Sequence, residues 1–408
     1  MALKRLAKDV GLLILSLGML INLVGTLFIT DGSRVATLLN LTFFLPALVL
    51  TACIPAYRAR LFSRELIFVA LFLAFTVLIA ALNSHSDHSP KDQLKVAVYV
   101  LMYLSAILIL ALEDKLERLL TWSFYLASAA AAASLVYQRM VLGNDIFGIF
   151  RISSLGYGDY ANFNNAIVSA LYYGVFSVFG VHQLANKPMA PWHKAVWALC
   201  VAVLILYVFG TGSRGIWLGM LAAFFASIWM HMQAGRRTAM VALAAVCVSV
   251  ALVVKFVFGH EGRGLSLRDE IWGGWFHRLG EFWLTGAGAG NAFNICVSDT
   301  RCYKQAHNLY LQVGYEFGLF AVVLLLLLIG VAMVRGLHRS QWEKPLGSAG
   351  IALMIFAAIT AVANYHSVLS RPGVYWLVFW LPVGLLIHAR LMPVLRGNER
   401  VAKQPSGI

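Results

Sequence analysis

About twelve stretches of this 408-residue chain are apolar for long enough to cross a bilayer as helices. No other feature constrains the fold as tightly. A hydrocarbon core roughly 30 Å thick needs about 20 residues of helix rising 1.5 Å each. The stretches lie near 10–30, 35–55, 66–83, 95–112, 119–141, 164–184, 194–212, 215–232, 239–258, 309–334, 348–364 and 372–390. With 60% hydrophobic and 12% charged residues, and mean hydropathy +0.77, the chain has too little polar surface for a soluble domain. The expectation is an all-α polytopic membrane protein, one integral membrane domain over residues 1–408. The first stretch follows Lys4, Arg5 and Lys8. It is too long for a signal-peptide core and no small-x-small cleavage site follows, so it reads as an uncleaved anchor.

Charge then orients the helices. Alternating the connections puts Lys4/Arg5/Lys8, Arg58/Arg60/Arg64, Lys115/Arg118, Lys187/Lys194, Arg236/Arg237, Arg335/Arg339/Lys344 and Arg390/Arg396/Arg400/Lys403 on one side. That is 19 of the 32 Lys+Arg, all in short loops or tails. By the positive-inside rule this side is cytoplasmic, and both termini are inside. The net charge of +14 therefore reflects topology and contact with membrane lipids, and no nucleic-acid partner is expected. Six of the remaining 13 basic residues lie in or beside one long outer segment, 259–308. Long translocated loops escape the rule, so their arginines need another explanation.

Two outer segments, 142–163 and 259–308, are much longer than the other connections. Loops of that length are usually functional or disordered, and abundant aromatics and glycines argue against disorder here. In "SLRDEIWGGWFHRLGEFWL", Ile271, Trp272, Trp275, Phe276 and Leu279 recur at helical spacing. Ser266 and Asp269 have the spacing of a capping box. Tryptophan-rich amphipathic segments tend to lie in the membrane interface. Gly273 and Gly274 weigh against one continuous helix, since each costs about 1 kcal/mol relative to Ala. "TGAGAGN" over 285–291 reads as a flexible turn and lacks the Lys-Ser/Thr ending of a phosphate loop. Cys53, Cys200 and Cys247 lie in apolar helices, where a thiol behaves as a small hydrophobe. Cys296 and Cys302 share the long outer segment, and an exported location permits a disulfide between them. There is no CxxC pair, no HExxH and no histidine cluster at ligand spacing, so neither a metal nor another cofactor is expected.

The outward-facing ionisable set of interest is Arg151, Arg214, Arg268, Arg278, Arg301 and His307. "YVFGTGSRGIWLG" joins two apolar helices with almost no loop, which sets Arg214 at a membrane boundary. A snorkelling arginine is common there, but Gly212 and Gly215 would let a large ligand reach the backbone. Several guanidinium groups just outside a membrane suit a lipid-borne diphosphate, because their planar fork grips phosphate oxygens in a bidentate way. Anionic headgroups would attract the same arginines. His307, beside Asn308 at the outer mouth of the 309–334 stretch, has an ordinary pKa of about 6.5 and can accept a proton when neutral. Lone histidines are also often structural. Glu316, nine residues on, falls on the opposite face of an ideal helix, which argues against a direct pair with His307 and leaves a structural pairing open.

Taken in order, "GTGSRG", "SLRDEIW", "WLTGAGAGNAF" and "AHNLYLQVGYEFGLF" resemble the conserved region of the O-antigen ligase and polymerase superfamily over roughly 205–335. "RISSLGYGDYANFNNAI" is similar to that family's Arg-x-x-Gly segment, with Asn162-Phe163-Asn164 where Asn-Pro-Asn is usual. The resemblance implies a bacterial inner-membrane, GT-C-like glycosyltransferase with a long, partly helical periplasmic loop at its active site. Within the superfamily it best fits an O-antigen ligase. Such an enzyme moves O-antigen from undecaprenyl diphosphate to a sugar hydroxyl of lipid A-core, with inversion. It further implies His307, Arg214 and Arg268 as catalytic residues, and Arg151, Arg301, Asn308 and Glu316 as contacts to diphosphate or glycan. With no Asp-x-Asp for a metal-bound nucleotide sugar, metal independence is expected. A polymerase acting on the same carrier is the nearest alternative. A flippase fits the helix count, but no internal repeat or series of charges within the helices supports it.

These assignments separate two formally conservative changes. Arg214→Lys should lower transfer on the order of tenfold or more, the range of a lost charge-assisted hydrogen bond. Arg236→Lys, on the cytoplasmic side where only positive charge matters, should leave it nearly unchanged. Initial rates at matched expression check this, and equal losses would remove the diphosphate assignment.

Overall fold

In a bilayer a backbone N–H or C=O finds no water, so spanning segments must satisfy these groups internally. The computed structural model describes residues 2–145, 150–230, 267–298, 301–338 and 344–388, and they obey that constraint with helices. In chain order these are α1 (Ala2–Phe28), α2 (Gly32–Cys53), α3 (Pro55–Leu61), α4 (Leu66–Leu82) and α5 (Pro90–Leu112). Then follow α6 (Leu116–Val141), α7 (Ala166–Asn186), α8 (Pro191–Gly210) and α9 (Arg214–Trp229). Among the described residues, seven helices are long and apolar enough to cross a membrane. An eighth span results if α3 and α4, bent by 76°, are counted together. The expected stretches among the described residues all contain helix. However, 215–232, 348–364 and 372–390 give only the shorter apolar helices Arg214–Trp229, Leu346–Ala361 and Val374–Ile387, and 239–258 lies outside the described residues.

Beyond it come α10 (Arg268–His277), the short α11 (Leu279–Phe282), and an antiparallel hairpin of β1 (Ile295–Ser298) and β2 (Arg301–Tyr303). The last four helices are α12 (Leu309–Phe317), α13 (Leu319–Leu337), α14 (Pro345–Ala361) and α15 (Val374–Ile387). α7 and α15 form the centre, buried on almost every face. Small residues let their neighbours close in. A Cβ on Gly180 would lie 2.5 Å from the Phe124 ring, and one on Gly384 2.6 Å from Ile107. Polar tips inside the bundle find backbone partners: Trp197 Nε1 donates to Gly180 O at 2.8 Å, and Tyr172 Oη to Leu23 O at 2.8 Å.

One expected span is not a single helix. The 309–334 stretch breaks at Gly318, between α12 and α13. Gly318 has φ 82° and ψ 170°, a region open essentially to glycine alone, and a side chain there would collide with Leu284 O. The N–H that the break releases, on Leu319, donates to Trp283 O at 2.8 Å. α12 thus leaves the line of α13 and becomes the platform for residues 279–306. Glu316 therefore lies in a separate short helix rather than two turns inside a spanning one.

The amphipathic segment also differs from its expected form. Leu267, with φ 62°, holds the N-cap position of α10, so Asp269 is not placed to complete a capping box; Ser266 lies outside the described residues. α10 runs unbroken through both glycines, and Gly274 has a reason: a Cβ there would come within 2.6 Å of Ile295 on β1. Trp275 is buried against α12 rather than laid in a lipid interface, while Phe276 of the same stripe is 62% exposed.

Gly318→Ala should lower the melting temperature in nanodiscs, by the equivalent of about 1–3 kcal/mol for a side chain forced into this region. Gly330→Ala, in open space on α13, should leave it unchanged or raise it slightly through helix propensity. Equal melting temperatures for the two variants would show that Gly318 is not what sets the break.

Candidate active site

Residues from five connections meet at one end of the bundle. The first pair is Arg151 and the turn Thr211–Arg214. Ile152 N donates to Gly210 O at 3.2 Å, which docks the strand of chain carrying Arg151 onto the end of α8. The guanidinium then clasps the turn: Nε donates to Thr211 O at 2.7 Å and Nη2 to Ser213 Oγ at 3.1 Å. Gly212 (φ 64°) is where the turn reverses, and a Cβ there would sit 3.5 Å from Arg151 Nε. Arg214 follows as the exposed first residue of α9. No side chain caps α9, and a helix start carries partial positive charge that adds to that of the arginines.

Arg268 and His307 come from opposite ends of the long outer segment. Arg268 opens α10 directly after the left-handed Leu267. Burial, and then the charge of Arg151, lower its pKa from the ordinary value, but a guanidinium remains protonated. His307 is itself left-handed, with φ 51°, a strained choice for a residue with a Cβ. Its neighbours enforce it. Ala306 is held from both sides, its N–H donating to Gln312 Oε1 at 2.9 Å and its C=O accepting from Trp272 Nε1 at 3.1 Å. Asn308 then caps α12, its Oδ1 accepting from Tyr310 N at 2.9 Å and Leu311 N at 3.1 Å. Burial, and secondarily the Arg268 charge, push the His307 imidazole below its usual pKa. It is therefore a neutral base at neutral pH.

A second imidazole, absent from the sequence-derived set, lies near enough to feel the charge of this one. His366 lies in the connection between α14 and α15, edge-on to Tyr375 with ring centroids 5.5 Å apart. Burial, and then the His307 charge, push its pKa down to about 4, so it stays uncharged. The same connection carries Asn364, whose side chain packs against Gly215 beside Arg214; a Cβ on Gly215 would be 2.6 Å from Asn364 Nδ2. The discoverable signal was an ionisable residue in a short connection between apolar helices, the pattern that drew attention to Arg214.

The structure thus brings Arg151, the Arg214 turn, Arg268 and His307 together, and adds His366 and Asn364. Other candidates lie elsewhere or do other work. Arg278 pairs with Glu281 at 3.0 Å. Arg301 belongs to β2, and its side chain lies outside the described residues. The Asn308 carbonyl oxygen is taken by the helix cap. Both carboxylate oxygens of Glu316 are taken as well, by Gly290 N at 3.0 Å and Gln312 Nε2 at 2.9 Å. Glu316 therefore fastens the 285–291 turn instead of facing His307 or a ligand. Asn291 Nδ2 to Ala287 O (2.7 Å) and Ala289 N to Ser86 Oγ (3.1 Å) add to it, so a stretch that reads as flexible is pinned. Cys296 and Cys302 are directly opposed in the hairpin and disulfide-bonded. Among the described residues, no three His, Cys, Asp or Glu side chains are grouped to hold a metal ion.

Comparison with known proteins bears on the same region. Residues 199–326 match the family model described as O-antigen ligase, a range that includes Arg214, Arg268 and His307 but not Arg151 or His366. Over 400 residues, 95% of this chain and 94% of the other, the sequence is 26% identical to an O-antigen ligase of Pseudomonas aeruginosa. The resemblance read from the motifs therefore extends along nearly the whole chain.

The electrostatics predict how His307 titrates. Its pKa should lie below about 6.5, and Arg268→Gln should move it upward by removing a positive neighbour. Histidine-labelled NMR, or modification by diethyl pyrocarbonate followed across pH and mapped by mass spectrometry, reads both. A midpoint above 6.5, or no change in Arg268→Gln, would contradict this environment.

Proposed function

We propose that this chain, a multi-pass membrane protein that shares the O-antigen ligase family's region over residues 199–326, is itself such a ligase. Its donor is O-antigen linked to undecaprenyl diphosphate, and its acceptor is a sugar hydroxyl of lipid A-core. The site faces the periplasm, with both termini in the cytoplasm, and the helical scaffold is GT-C-like. The observation that carries the reading is the pairing of a partly buried, neutral His307 with guanidinium groups that stay charged. A base and a diphosphate-binding surface are the two parts this transfer requires.

His307 takes the proton from the acceptor hydroxyl as that oxygen attacks the anomeric carbon of the first donor sugar. The new glycosidic bond forms on the face opposite the departing carrier, so the configuration inverts. The anomeric C–O bond to phosphate breaks, and its electron pair leaves on undecaprenyl diphosphate. Arg151, Arg214 and Arg268 offset the charge that builds up there, an electrostatic contribution that needs no reorganisation at the moment of reaction. General-base catalysis supplies about 10²–10⁴-fold. The full-length relative named as a ligase favours this reading over chain extension on the carrier.

The test is His307→Ala in the purified protein with lipid-diphosphate donor and lipid A-core. Turnover should fall by about 10²–10⁴-fold, with donor affinity and melting temperature unchanged, because donor binding rests on the arginines. Wild-type turnover should fall only as pH drops below about 6.5, since protonation removes the base and the pKa is lowered. It should persist in the presence of a metal chelator. Lost donor binding with intact turnover of bound donor would make His307 a phosphate contact instead. Extension of the carrier-linked glycan, with none reaching lipid A-core, would make the protein a polymerase.

A further inference from the structure

We propose that Gln312 and Glu316 form a directional hydrogen-bond relay that holds the peptide ahead of His307, and that both are positioning residues for that imidazole. The proposal rests on His307 acting as the base. Three bonds define the relay. Gly290 N–H donates to Glu316 Oε2 at 3.0 Å, Gln312 Nε2 donates to Glu316 Oε1 at 2.9 Å, and Ala306 N–H donates to Gln312 Oε1 at 2.9 Å. Both ends are therefore backbone donors, one in the glycine turn and one adjacent to His307. Gln312 is 3% exposed, and a buried donor or acceptor without a partner is destabilising.

Two donor ends impose a rule on the two side chains between them. Each side chain must present an oxygen to its own end, and the remaining bond between them needs one donor and one acceptor. One amide and one carboxylate satisfy this; two amides cannot, and two carboxyl groups can only by binding a proton between them. With Glu316→Gln, two amides meet two N–H ends, and any rotation leaves two donors facing each other. With Gln312→Glu, two carboxylates face each other, and the bond between them forms only where the pair takes up a proton, which is lost as pH rises. The double exchange obeys the rule again: the new carboxylate at 312 accepts from Ala306 N–H, and the new amide at 316 donates to it while accepting from Gly290 N–H.

The link to His307 is short. Ala306 has its N–H in the relay and its C=O on Trp272 Nε1 at 3.1 Å, and Asn308 is fixed by capping α12. His307 lies between these two fixed residues with φ 51°, so its left-handed conformation depends on Ala306 staying in place. Releasing Ala306 lets the backbone relax and swings the imidazole away. Small displacements of a catalytic group can lower turnover on the order of 100-fold.

The experiment compares wild type, Gln312→Glu, Glu316→Gln and the double exchange, full length in nanodiscs with the lipid-diphosphate donor and lipid A-core. Turnover, donor affinity, melting temperature and hydrogen exchange of the peptide spanning 303–311 are measured for each. Glu316→Gln should lose protection around Ala306 and lower turnover at least about tenfold, with donor affinity retained, and Gln312→Glu should do the same as pH is raised and the shared proton is lost. The double exchange should recover both protection and most of the turnover. A double exchange no better than Glu316→Gln, or Glu316→Gln with wild-type protection, overturns the relay. Where the singles fail to fold, the double exchange decides: folded and active supports the proposal, unfolded or inactive overturns it. His307→Ala keeps the two readings apart. If it leaves turnover intact, the base assignment fails. If it abolishes turnover while the double exchange restores protection but not activity, the positioning role fails.

Discussion

Residues 283–298 and 301–319 leave regular helix at several points, and the architecture of this end of the bundle depends on how their backbone polar groups find partners. Each irregular segment uses another as its partner. Trp283 O accepts from Leu319 N at the Gly318 break, Ala287 N donates to Tyr315 O at 2.6 Å, and Gly288 N donates to Glu316 O at 3.3 Å. A buried amide without a partner is destabilising by about 1–3 kcal/mol, so the glycine turn and α12 are ordered together. Gly286, Gly288 and Gly290 all have positive φ, which is what lets the turn follow the end of α12 so closely.

From this clasp the electrostatics of the site follow. α10 is held over α12 by Trp275 Nε1 on Leu311 O at 2.8 Å, and by Trp272 on Ala306 O. That sets Arg268 beside His307. Arg151 reaches the same place by a separate route, through Gly210 and the turn it clasps. Cations gathered in a partly buried space raise the free energy of adding another proton, and both imidazoles respond by staying neutral. One arrangement therefore attracts an anionic group and keeps a base unprotonated beside it. Proton transfer and diphosphate departure, as proposed, make opposite demands on local charge, and the clasp lets neighbouring residues meet both.

Cations gathered this closely come at some expense to stability, and left-handed residues are set among them: Gly212, which adopts that conformation readily, and Leu267 and His307, for which it is strained. Strain of this kind persists only where the surroundings over-determine it. Here the surroundings are the Arg151 hydrogen bonds, the packing of α10 on the hairpin, and the fixed neighbours of His307. The Cys296–Cys302 disulfide closes the hairpin against which Gly274 packs. It stiffens that wall without touching the imidazole.

Most of the helical scaffold was legible without coordinates, because a bilayer admits little but long apolar helices and the amino-acid composition reports each one directly. Arg151, Arg214, Arg268 and His307 were legible too, as ionisable residues in connections on one side of alternating spans. Local sequence did not reveal the break at Gly318, since "VGYEFGLFAVV" reads as continuous helix until Leu284 O is known to occupy the space beside it. Nor did it reveal that Glu316 serves the glycine turn, that Trp275 packs on α12, or that His366 comes within reach of the His307 charge. Each depends on a contact between residues far apart in the chain. Hydropathy is a property of single segments, so the sequence by itself determined which segments form apolar helices. Hydrogen-bond partnership is a property of pairs, so only the tertiary structure decided which polar groups support the fold.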